Sequence, residues 1–118
     1  MAIDTSSPIR VIKPTDVRWS AAARNPDETD PPGEGFTAAL SPDEKFSAGL
    51  WQRDVQRRRL ERPYHEVAYI IDGEVEVTLD SGAVLRAGPG DILDTPKGRK
   101  GFWQNLTPVR KFWAVYED

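Results

Sequence analysis

A chain of 118 residues with a formal net charge of −3 has room for one domain and one core, and no general pull towards nucleic acid or a membrane surface. Ten prolines and nine glycines beside 38% hydrophobic residues describe a loop-rich β-protein rather than a disordered chain. With no cysteine, disulfide and thiol chemistry are excluded, which suits a reducing cytoplasm, and no long apolar run suggests a signal peptide or a membrane span.

In chain order, residues 1–45 read as an irregular extension packing on a barrel formed by residues 46–118. Within the extension, Ile9–Ile12 is expected as a short edge strand stopped by Pro14. The alanine run between Trp19 and Arg24 predicts one or two helical turns. Asn25 to Gly35 is acidic, proline-rich and almost free of apolar residues, so it reads as a surface loop: a lid over a barrel mouth, or a solvated connector. Ser41-Pro42-Asp43-Glu44 has capping-box spacing and predicts a single helical turn. Phe46 then opens the barrel, with Trp51 its largest apolar residue.

Arg53, Arg57, Arg58, Arg59 and Arg62 form a basic run. On a strand, Arg57 and Arg59 face one way and Arg58 and Arg62 the other, so at most one arginine is expected to enter the barrel. Val67 to Ile71 and Val75 to Leu79 read as two strands joined by an Asp72-Gly73 hairpin turn. Asp80-Ser81-Gly82, Gly88-Pro89-Gly90-Asp91 and Thr95-Pro96-Lys97-Gly98 give three further reversals. Short strands punctuated this regularly predict an all-β, antiparallel sandwich or barrel with no helix longer than about three turns.

Two spacings in this stretch resemble a family. Glu-x6-Gly at Glu66–Gly73 and Gly-x5-Pro-x-Gly at Gly90–Gly98, with Asn105 at the end of the second, resemble the two motifs of the cupins, which are small double-stranded β-helix (jelly-roll) barrels. Gly90 to Asn105 (GDILDTPKGRKGFWQN) and the following Val109 to Trp113 (VRKFW) resemble the cupins grouped with ureidoglycine aminohydrolase and ethanolamine-utilisation protein Q, where a tryptophan follows the Pro-x-Gly turn as Trp103 does. Metal-binding cupins carry His-x-His before the motif glutamate and another histidine after Pro-x-Gly. Here those places hold Leu60 and Arg62, or Arg59 and Glu61, and then Gly101. The one histidine, His65, adjoins Glu66, so on a strand it points to the opposite face. No metal and no other cofactor is therefore expected.

Strand parity turns Glu66, Ala68 and Ile70 inward with Tyr64, and Gly101, Trp103 and Asn105 likewise. Glu66 is the candidate central polar group, either an acid/base with its pKa raised by burial among Tyr64, Trp51 and Trp103 or an acceptor of hydrogen bonds from Arg62, Lys100 or a tyrosine, with Asn105 orienting a ligand and Arg62 or Lys100 supplying countercharge. Three functions stay open: binding of a small-molecule metabolite in a metal-free barrel, an enzyme of the ureidoglycine or ethanolamine type working through Glu66, or a noncatalytic structural subunit filled by its own aromatics. The strand at Val67–Ile71 and the segment Phe112–Tyr116 are apolar at both parities. A half-solvated sheet alternates, so a second layer is expected, either the N-terminal segment or the other half of a homodimer. No nucleic acid or membrane partner is expected.

Overall fold

The computed structural model describes residues 8–22 and 33–118. Among the described residues ten strands form in chain order: β1 Ser20–Ala21, β2 Glu34–Leu40, β3 Phe46–Arg53, β4 Gln56–Glu61, β5 His65–Asp72, β6 Val75–Leu79, β7 Val84–Ala87, β8 Ile92–Thr95, β9 Lys100–Asn105 and β10 Val109–Tyr116. They make two sheets, β1-β2-β3-β10-β5-β8 and β4-β9-β6-β7, and every pairing is antiparallel. The chain passes back and forth between the layers, as in a jelly-roll barrel. Among the described residues no helix is long and apolar enough to cross a membrane.

Alternation decides the two faces. On β5, Glu66, Ala68 and Ile70 are buried while His65, Val67 and Tyr69 are exposed. On β9, Gly101, Trp103 and Asn105 are buried between half-covered neighbours. The core comprises Trp51, Leu60, Ile70, Val75, Val77, Ala87, Trp103 and Val109, contributed by both sheets. Burial of each larger aliphatic member stabilises the fold by about 1.5–3 kcal/mol.

Several sequence expectations are corrected. Ile9–Ile12 is not a strand; Ile9 and Val11 are exposed, and the edge partner of β2 is Ser20–Ala21. The expected helix from Trp19 begins instead as β1, and its last two residues lie outside the described residues. Most of the acidic loop also lies outside them, but Glu34 and Gly35 open β2, which pairs with β3 along most of its length. The sheet thus takes in residues ahead of position 46. Ser41–Glu44 forms a turn rather than a helical one, closed by Glu44 N–H on the Ser41 carbonyl, with Glu44 at φ 61°.

The Asp72-Gly73 turn is positive in φ at Gly73 only, and β5 and β6 lie in different sheets. It is a corner between layers, not a hairpin. A Cβ on Gly73 would lie 2.2 Å from the Pro108 carbonyl oxygen, so close approach as well as φ demands glycine there. β6–β7 is a true hairpin, where Asp80-Ser81 is followed by Gly82 at φ 91°.

Candidate functional site

Glu66 opens the inward row of β5, and Lys111 stands in the inward row of β10, the neighbouring strand. Both are buried, at 5% and 4% exposure. The Lys111 Nζ donates to Glu66 Oε1 at 2.7 Å, and Arg62 Nη1 lies 3.1 Å from Glu66 Oε2. The ammonium sits between two indoles, 4.8 Å from the Trp51 ring centre and 4.5 Å from that of Trp103. Arg62 also stands 5.5 Å from the Trp103 ring.

The two charges do not gain equally. Burial pushes the Glu66 pKa up, but the charges of Lys111 and Arg62 and the hydrogen bond from Lys111 outweigh it, so the carboxyl is held below its ordinary range. This reverses the expectation of a raised Glu66 pKa: a carboxylate with two cationic partners stays ionised and is a poor acid at neutral pH. Lys111 loses more by burial than Glu66 returns, and the Arg62 and Arg58 charges repel it, so its pKa falls to about 8. The group poised near neutrality is the amine.

This pair lines a cavity of about 430 Å³, which opens between Ser47, Val115, Tyr64 and the β1–β2 edge. Trp51, Trp113 and Phe36 supply apolar wall, and Arg58 and Arg62 both line it, one more arginine than parity and charge alone suggested. Tyr64 is half-buried in the same wall, and burial raises its phenol pKa. The outward arginines do other work: Arg57 stacks 3.9 Å from the Phe102 ring, and Arg59 pairs with Glu61.

Of the other predicted site residues, Trp103 is core rather than wall, buried at 1% exposure beneath Lys111. Asn105 accepts the Trp103 indole N–H at 2.8 Å and donates to the carbonyls of Arg53 and Asp54, so its amide locks the indole in place and does not face the cavity. Lys100 is exposed and lies 3.7 Å from Glu61; Lys111 takes the countercharge role instead. Lys111 was missed, although Val109, Lys111, Trp113 and Val115 share one parity in the sequence, a row of apolar side chains broken by a single lysine. A broader depression of about 750 Å³ lies at the other end of the barrel, among Arg53–Gln56 and Pro108–Arg110, and contains none of the Glu66 cluster.

The donor set does not suit the metal that the barrel holds in metal-binding cupins. At the corresponding positions Leu60 has no donor, Arg62 is a cation on Glu66, and a Cβ on Gly101 would lie 2.2 Å from the Thr78 carbonyl oxygen. His65 pairs with Asp94 on the outer face. Among the described residues no three His, Cys, Asp or Glu side chains gather. A divalent ion on Glu66 would have to displace an ammonium and a guanidinium.

The sequence model of the EutQ-like cupin domain matches residues 40–113. No curated protein matches the chain. Among solved structures, a protein assigned as ethanolamine utilization protein Q from Salmonella typhimurium superposes with a TM-score of 0.74 at 21% identity, over 92% of this chain and 85% of that one. EutQ from Clostridium difficile gives 0.70 at 22%, over 91% and 86%. A DUF861 family protein from Thermotoga maritima is 34% identical over 54% of this chain and 73% of that one, with a TM-score of 0.53.

Proposed function

The chain belongs to the EutQ-like cupin domain family, and from that premise we propose that it binds a small-molecule metabolite inside the barrel without a metal. The observation that carries this reading is the cavity of about 430 Å³ ending on the buried Glu66–Lys111 pair. A volume of that size falls within the range of small-molecule sites, and its mixture of indole walls with a few fixed charges is what orients a ligand. A barrel serving only as a structural subunit, filled by its own aromatics, would leave no such space.

Charge narrows the occupant. Among the described residues Arg58, Arg62 and Lys111 line the cavity against Glu66 and Glu117. A bare amine such as ethanolamine, the compound named for the Salmonella structure, would meet three cations there. Anionic or neutral ligands fit better. The homodimer and the cytoplasmic location expected from the sequence remain parts of this reading.

The test uses benzoate, benzamide and benzylamine, three probes of similar size and different charge, with chelator present. The readout is the indole N–H resonances of Trp51 and Trp113. Benzoate or benzamide is expected to move both, and Arg62→Gln to weaken the benzoate response. If no probe moves either indole, or if a response needs added metal, the reading is wrong.

A further inference from the structure

Lys111 is the one buried amine among the five lysines of the chain; Lys13, Lys45, Lys97 and Lys100 are all exposed. It also lines the cavity, with the Glu66 carboxylate 2.7 Å away holding its Nζ in place. Two guanidinium groups, Arg58 and Arg62, share the same lining. A lysine becomes a nucleophile when it is desolvated or set near other cations; Lys111 is 4% exposed against the Trp51 and Trp103 rings and shares its cavity with those two guanidinium groups.

We propose that Lys111 is a carbonyl-reactive amine, and that its Nζ condenses with the keto group of a small 2-oxo acid whose carboxylate faces Arg58 and Arg62. The inference rests on the cavity being a ligand site. In the reaction the ammonium first gives a proton to solvent. The nitrogen lone pair then forms the C–N bond, the carbonyl π pair moves to oxygen, and one of the two nitrogen protons passes to that oxygen to give the neutral carbinolamine. The remaining nitrogen proton and that hydroxyl leave as water while the C=N bond forms. Amine and ketone become imine and water, with nothing oxidised or reduced. The pKa of about 8 leaves an appreciable neutral fraction near neutral pH, which an exposed lysine lacks.

The experiment incubates the intact protein with pyruvate and sodium cyanoborohydride at pH 8 and maps reduced adducts by peptide mass spectrometry. Acetone, the same skeleton without the carboxylate, runs in parallel. Lys111 is expected to react roughly tenfold faster than any exposed lysine, with pyruvate far ahead of acetone. The rate should climb with pH through about 8 and then level. Lys111→Arg keeps the charge but cannot form the imine, so it should lose the adduct. Because the adduct is mapped on the unaltered chain, a folding defect in the variant does not rescue the idea. Adducts confined to the exposed lysines overturn it. If pyruvate nonetheless moves the indoles, the binding reading survives alone; if it does not, neither survives for this ligand class.

Discussion

Glu66 and Lys111 are covalently distant and electrostatically inseparable. Removing the carboxylate leaves two cations facing each other in an apolar setting, with Trp51 and Trp103 offering only partial compensation. Glu66→Gln should therefore lower stability by about 3 kcal/mol, measured by urea unfolding at pH 7. A loss of less than roughly 1 kcal/mol would show that the pair is solvated or dispensable. The pH dependence has a definite sign. The folded-state pKa of Glu66 lies below its ordinary value of 4.5, so its contribution is complete above that value and fades as pH falls through the folded one. The gap between the original chain and Glu66→Gln should accordingly narrow in acid, and a gap that widens there contradicts the assignment.

At the level of strands, Gly101 shows how the barrel departs from a metal site by more than the loss of donors. It sits between Leu60 on β4 and Leu79 on β6, and a Cβ there would strike the Thr78 carbonyl oxygen. Gly101→Ala should cost about 2–4 kcal/mol by prising β9 from β6, visible as a lowered unfolding midpoint; a neutral change would mean that the strands relax freely. That this position holds no histidine was readable in the sequence; that it can hold no side chain was not, because the clash comes from another strand. The same division runs through the fold. Inward Glu66, Ala68, Ile70 and Trp103 follow from alternation, a property of one strand. Gly73 marks a reversal equally well for paired strands and for strands that part into separate sheets, so the β5–β6 corner read as a hairpin. β2 was hidden because Glu34–Leu40 is poor in β-branched residues and borrows its order from β3. Lys111 was hidden by its type: lysine is ordinarily outside, and only the carboxylate on the next strand explains it inside.

For the molecule as a whole, the outer face of the larger sheet is the feature left uncovered among the described residues. Val67 and Tyr69 on β5, Phe112 and Tyr116 on β10, Phe46 on β3 and Ile92 on β8 are 41–67% exposed. They are contiguous, since Tyr69 lies opposite both Phe112 and Ile92, and Tyr116 opposite Phe46. The described part of the N-terminal segment does not cover them, and its own Ile9 and Val11 are exposed. We propose that a second copy covers this face, since a self-complementary face closes with two-fold symmetry. Light scattering at micromolar concentration should therefore give twice the chain mass. Phe112→Glu, at the centre of the face, should give the single mass with the fold retained. Phe112 and Lys111 point to opposite sides of β10, so this change should also leave the Trp51 and Trp113 probe responses in place. A single mass for the unaltered chain refutes the dimer, and a Phe112→Glu protein that stays double moves the contact to another face.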